Sequence, residues 1–308
     1  MKRKFLLCQL LLIYILLPFQ AIASNTPFSN IFVFGDSLSD NGNINSLSLP
    51  DLSFLNSPPF NHGFTNGPFA VEVLANNLNR DQNLHLTVNP SLHLVNRLPV
   101  GTNYAVAGAR AGATGNPLFN LSSQVNTFLG SHSNSAPNDA LYIIFIGSND
   151  VLDALQTSDR RLITTAVEAI DNSLRELVYA GAESILVVNV SDLGLTPRVR
   201  ALGTAVVKQA TRLTNDFNSQ LVRYVHKIEK ERQIDIVDFD FFQLSHTVSE
   251  NSVGLGYINT TEACLFNTNC VAQGKFDDFI YLDDIHPTAD AQQRIGHALY
   301  TIVPELPE

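Results

Sequence analysis

Tryptophan is absent from these 308 residues, methionine occurs once and cysteine three times. Basic residues are scarce: 19 Lys and Arg stand against 29 Asp and Glu, a formal net charge of −10. That balance repels polyanions, so no nucleic-acid partner is expected. Three cysteines are too few for a disulfide-built scaffold, and a chain of this length buries a core without one. Beyond the first twenty residues no apolar run approaches the length of a membrane span. No internal repeat or low-complexity linker is found, which favours one domain.

The one long apolar run stands at the start. Lys2, Arg3 and Lys4 precede the apolar stretch Phe5 to Phe19, and Ala21-Ile22-Ala23 follows it. A basic start, a short apolar segment and an A-x-A site describe a cleaved signal peptide over residues 1–23, with a single domain over 24–308. The expected location is therefore secreted, periplasmic or extracellular. Cys8 would leave with the leader, as would its three basic residues, taking the net charge from −10 to −13. Cys264 and Cys270 then remain. In an oxidising compartment a close, even pair reads as a disulfide. The rival reading, a metal site, lacks any histidine in that loop.

Apolar runs alternate with helix-like segments along the chain. Strands are expected at Ile31–Phe34, Leu141–Ile146, Ile185–Val190 and Ile234–Phe239. Helical spacing marks Pro68–Asn79, Leu121–Leu129, Ser158–Ala180, Leu202–Glu231 and Thr288–Val303. This order predicts an α/β fold, a three-layer α/β/α sandwich with a parallel central sheet. Two stretches lack a period, Ser46–Thr65 and Glu250–Asp278. Loops this long in a compact domain are usually functional or disordered. Phe54, Leu55, Phe60, Phe64 and Phe69 in or beside the first either line a pocket or fill core.

Chemistry is concentrated at the two ends. The first strand candidate runs into Gly35-Asp36-Ser37, placing a hydroxyl at the carboxyl end of a strand, where open α/β sheets hold ligands. The same residues also suit a helix cap. Near the end, Asp283 stands three residues before His286. A serine nucleophile needs a general base, and the base needs an orienting carboxylate, which Asp283 and His286 supply from one turn. Asp284 competes with Asp283 for that task. Pro287 suits the first turn of a following helix.

Taken together, four blocks resemble the GDSL, or SGNH, hydrolases. Gly35-Asp36-Ser37-Leu38 is similar to the first block and Asp283-x-x-His286 to the last. Asn103-Tyr104-Ala105-Val106-Ala107-Gly108-Ala109 resembles the block that supplies a glycine, and Ile146-Gly147-Ser148-Asn149-Asp150 the block that supplies an asparagine. Asn66-Gly67-Pro68 is also usual in the lipolytic branch. The resemblance implies an SGNH hydrolase, flavodoxin-like in fold. It assigns Ser37 as nucleophile, His286 as general base and acid, and Asp283 rather than Asp284 as orienter. The oxyanion would be held by the backbone N–H groups of Ser37 and Gly108 and the amide of Asn149. Asp150 reads as a helix cap. Secreted bacterial lysophospholipases A and acyltransferases are the most similar branch. The implied substrate is a lysophospholipid or another acyl ester, met at a membrane or micelle surface, with acyl transfer to an alcohol such as a sterol as a further outcome. A carbohydrate acetylesterase or short-chain esterase is the alternative, and a non-catalytic binding protein a more distant one. No cofactor or metal is expected. The Cys264–Cys270 loop precedes Asp283 and is expected to form part of a wall or lid, open to cutting by an external protease.

Overall fold

The structure, a computed structural model, describes residues 28–303. The expected signal peptide, residues 1–23, lies outside the described residues. In chain order the strands are β1 (Ile31–Gly35), β2 (Leu141–Phe145), β3 (Ser184–Val188), β4 (Ile236–Phe239), β5 (Asn259–Ala263) and β6 (Phe279–Tyr281). The helices are α1 (Asn43–Ser46), α2 (Ala70–Gln82), α3 (Leu121–Ser131), α4 (Ser148–Thr157), α5 (Arg161–Ala180), α6 (Pro197–Arg200), α7 (Thr204–Arg232), α8 (Phe241–Glu250), α9 (Thr268–Gln273) and α10 (Ala289–Ile302).

β1 to β4 pair in that order, all parallel, with Ile31 opposite Leu141 and Leu141 opposite Ser184. Side chains on a strand alternate between faces, and these strands are apolar on both. Phe32, Phe34, Tyr142, Ile144, Ile185 and Val187 pack with α3, α5 and α7. Ile31, Val33, Leu141, Ile143, Leu186 and Val188 pack with α2 and α10. The sheet is therefore covered on both faces, the expected three-layer sandwich. The strand candidates are found within two residues of their expected limits. α3 begins at Leu121 as expected, whereas α2, α5, α7 and α10 begin one to three residues later than expected. Ser158, at φ 58°, ends α4 instead of starting α5. Pro287 stands outside α10, whose first turn is capped by Thr288.

An extended segment, Thr102 to Val106, runs along the free edge of β1. Val33 N–H donates to Thr102 O at 3.1 Å, Tyr104 N–H to Val33 O at 2.7 Å and Val106 N–H to Gly35 O at 3.1 Å. β1 thus lies between a segment that follows it and β2, the arrangement that makes a topological switch point in flavodoxin-like sheets. A crevice opens at the carboxyl end of β1, and Ser37 follows there. Glu250–Asp278, expected to be loop, instead carries β5 and α9. β5 pairs parallel with β6 in a small second sheet.

Candidate active site

The three end-block residues meet in one hydrogen-bonded line. Ser37 Oγ is 2.8 Å from His286 Nε2, and His286 Nδ1 is 2.7 Å from Asp283 Oδ2. An ionised carboxylate only accepts, so the Nδ1 proton faces Asp283, and the neutral ring accepts the Ser37 hydroxyl proton at Nε2. Asp283 Oδ1 also takes the N–H groups of Ile285 and His286, at 2.9 and 2.7 Å. Burial pushes the Asp283 carboxyl up, but the bonds and charge of His286 outweigh it and hold the carboxyl below its ordinary value.

β6 sets this turn. Leu282 N–H donates to His286 O at 2.8 Å and Thr288 N–H to Ile280 O at 2.9 Å, so the turn is closed at its base. Asn66 Oδ1 accepts the Ala289 N–H at 2.8 Å, which anchors the start of α10. The Phe64 ring stacks on the His286 imidazole, with centroids 4.5 Å apart. Asp284 points elsewhere: the Arg198 guanidinium holds it with two bonds of 2.8 and 3.0 Å.

The proposed oxyanion donors line the same cavity as Ser37 and His286. Leu38, Ser39 and Asp40 all donate their backbone N–H to Asp36, whereas Ser37 N–H has no acceptor among the described residues. The same holds for Gly108 within its block. Ala107, Ala109, Arg110, Ala111 and Gly112 N–H are each bonded, and Gly108 N–H is not. Gly108 has φ +79°, which disfavours any side chain, and a Cβ there would face open space. The Asn149 amide donates one N–H to Ala109 O at 2.9 Å and has a second to offer. Gly147, at φ +131°, makes the turn into α4, where a Cβ would come within 2.3 Å of the Phe217 ring.

Buried carboxyls brace these blocks. Asp40 takes the N–H groups of Gly42, Asn43, Ile44 and, at 2.7 Å, Ala107. Asp150 is not a cap for its own helix. Its two oxygens accept Ala111 and Gly112 N–H, both at 2.9 Å, joining the asparagine block to the glycine block. Burial outweighs these bonds and raises Asp40 and Asp150 to about 6. Asp36 is raised further, to about 7, because burial meets a single N–H bond and its Oδ2 has no partner.

The cavity holds about 460 Å³. Its walls are largely apolar: Ile44, Leu49, Leu52, Phe64 and Phe119 on one side, Phe241, Leu244, Val248, Ile280 and Ile295 on the other. Of the five apolar residues expected to line a pocket or fill core, only Phe64 reaches it. Leu55 and Phe69 are core, and the Phe54 and Phe60 rings pack edge-on to Phe64. Cys264 and Cys270 are bonded to each other. Between Thr260 and Gln273 only Thr260 touches the cavity, so the cysteine loop is a buttress and not a lid. It packs on Phe279, and Leu265 N–H donates to Leu282 O at 2.9 Å. The α8 wall, Phe64 on the imidazole, and Arg110 behind Gly108 are features that sequence reasoning missed: tertiary contact brings α8 and Phe64 to the site, and pairing with the distant Asp153 holds Arg110 against Gly108.

A hydroxyl, an imidazole and a carboxylate in line, beside free N–H donors, make the layout of a serine hydrolase that works by acyl transfer. The family described as GDSL-like lipase/acylhydrolase matches residues 31–299, and the chain belongs to it. It is 30% identical over 255 residues to Lipase 1 of Photorhabdus luminescens, covering 81% of this chain and 35% of that protein. It is also 30% identical over 243 residues to a phosphatidylcholine-sterol acyltransferase of Aeromonas hydrophila, covering 77% of this chain and 66% of that one. The chain thus spans about a third of the first relative and just under two thirds of the second. Among solved structures, a putative GDSL-like lipase from Parabacteroides merdae superposes over 89% of this chain and 95% of its own, at 14% identity and TM-score 0.47.

Proposed function

We propose that this protein is a lipolytic carboxylic ester hydrolase working through an acyl-enzyme on Ser37. The observation that carries the reading is the unbroken Ser37–His286–Asp283 line opening into a cavity with apolar walls. His286 Nε2 takes the Ser37 proton as Oγ attacks the ester carbonyl. The carbonyl oxygen becomes an oxyanion held by Ser37 N–H, Gly108 N–H and the Asn149 amide. His286 returns the proton to the leaving alkoxide, which departs as the alcohol. Water then attacks the acyl-serine, gives its proton to His286, and the fatty acid leaves as Ser37 regains its hydrogen.

Apolar walls fit a fatty-acyl chain, and we read a lysophospholipid as the preferred ester. The same walls disfavour an acetylated sugar. If an alcohol replaces water in the second half, the product is a new ester. The similarity to the Aeromonas phosphatidylcholine-sterol acyltransferase favours this second outcome. The disulfide supports action outside the cytoplasm. Leu49, Phe54 and Leu118 are exposed apolar residues close in the chain to cavity-lining Leu52 and Phe119, and we read them as the rim that meets a lipid surface.

The test is labelling and turnover on lysophosphatidylcholine. A fluorophosphonate is expected to modify Ser37 alone, and Ser37→Ala to abolish hydrolysis with an unchanged melting temperature. Hydrolysis retained in Ser37→Ala would reject the reading.

A further inference from the structure

We propose that Arg110, held by Asp153, is a positioning residue that aims the Gly108 N–H at the oxyanion; this rests on the acyl-enzyme reading above. Arg110 divides its guanidinium between two tasks. Nε and Nη2 each bond one oxygen of Asp153 at 3.0 Å, and Nη1 donates to Gly108 O at 2.6 Å. Asp153 is fixed in turn by Thr114 Oγ1, which donates to it at 2.8 Å. Only a planar guanidinium has forked donors for a carboxylate and a further donor for the carbonyl; an ammonium is a point charge.

Gly108 needs such a hold. A Cβ at this residue would touch nothing within 4 Å, so packing does not fix it, and glycine turns more freely than any other residue. Its N–H belongs to the Ala107–Gly108 peptide, which has no hydrogen bond of its own among the described residues. The flanking planes are tied instead. Before it, Ala107 N–H is taken by Asp40 at 2.7 Å. After it, the Gly108–Ala109 plane is tied at both ends, Gly108 O by Arg110 and Ala109 N–H by Val106 O at 3.0 Å. Loss of Arg110 frees the carbonyl end of that plane and with it the glycine's own torsions. The ester still binds in its apolar cavity, but the donor no longer meets the developing charge.

Arg110→Met and Arg110→Lys are compared with the natural enzyme on a soluble nitrophenyl ester, with active serine counted by fluorophosphonate. Turnover per active site is expected to fall roughly ten- to hundredfold in both, short of the ~10²–10³ for outright loss of a donor, with KM little changed. Fluorophosphonate labelling of Ser37 should slow by a similar factor. Millimolar guanidinium should restore part of the turnover of Arg110→Ala and none to the natural enzyme. Should the Arg110 variants fail to fold, Asp153→Asn carries the test, with a smaller fall in turnover. Unchanged turnover per labelled serine, with only a lower melting temperature, would overturn the proposal by making the clamp structural. Hydrolysis that survives Ser37→Ala would overturn the underlying reading, and is seen without touching Arg110.

Discussion

Asp283 and Asp284 are neighbours in the chain with opposite surroundings. Asp283 is largely buried and bonded to the imidazole, whereas Asp284 is a third exposed and paired with Arg198. Asp283→Asn is expected to lower kcat by up to about 10⁴-fold, the scale of losing an orienting carboxylate. Asp284→Asn removes an exposed ion pair, of a kind that contributes under about 1 kcal/mol, and should leave turnover close to normal. Steady-state kinetics that rank the two the other way would reject the assignment. Asp36 provides a test of another kind. Its folded-state value of about 7 lies above the ~4 of an unfolded aspartate. Between those values the native chain holds a proton that the unfolded chain has released. The stability this gives is complete below about pH 4 and is lost as pH rises through about 7. Asp36→Asn does not titrate, so its melting temperature should gain on that of the natural protein from about pH 5 to about pH 8. A constant offset across that range would show that Asp36 is not protonated there. Ser37, Gly108, Asn149, Asp283 and His286 were legible as blocks because each has a local pattern. Arg110 and Phe64 were not, since Asp153, which holds Arg110, and His286, on which Phe64 stacks, stand elsewhere in the chain.

Strands and helices were legible where the period was strong. β1 to β3 are unbroken apolar runs, since both faces of a parallel sheet are covered. α5 and α7 show the 3.6-residue spacing over many turns. Their ends were less legible because the capping geometry decides them. Gly203 rather than Leu202 precedes α7, and Ser158 in a left-handed conformation separates α4 from α5. The stretch from Glu250 to Asp278 concealed most. β5 is polar, with only Ala263 buried, and no hydrophobic alternation marks it. It is defined by its pairing with β6 and by the short disulfide loop that follows. That small sheet has a clear task. β6 leads directly into the Asp283–His286 turn, and the cysteine loop braces Leu282 from behind. α8 was hidden for the opposite reason, since a 10-residue helix whose apolar face covers a cavity has little core signal of its own.

Across the whole molecule, charge and apolar exposure bear on how a lipid is reached. A net charge of −10 opposes adsorption to anionic surfaces. Contact with a zwitterionic micelle must then rest on apolar side chains; several are exposed, Val95, Leu98 and Val100 among them, and two further sets lie around β5 and on the cavity wall. Val253, Ile258 and Phe266 project from the stretch around β5, and none of them lines the cavity. Leu49, Phe54 and Leu118 belong to the segments that wall it. If the second set is the docking rim, a Leu118→Asp variant should lose activity mainly where the ester is presented in an aggregate. On lysophosphatidylcholine micelles its rate at low lipid should fall about tenfold, the effect of losing roughly 1.4 kcal/mol of apolar contact. On a short, monomeric nitrophenyl ester it should match the natural enzyme, because Ser37 and its partners are untouched. A Val253→Ser/Phe266→Ser variant should be normal on both. Salt supplies an independent check. Apolar adsorption should strengthen or hold as salt rises, whereas attraction to charged head groups would weaken. Equal losses on micelle and monomer would mean that Leu118 supports the cavity wall, and the route from lipid surface to Ser37 would have to start elsewhere.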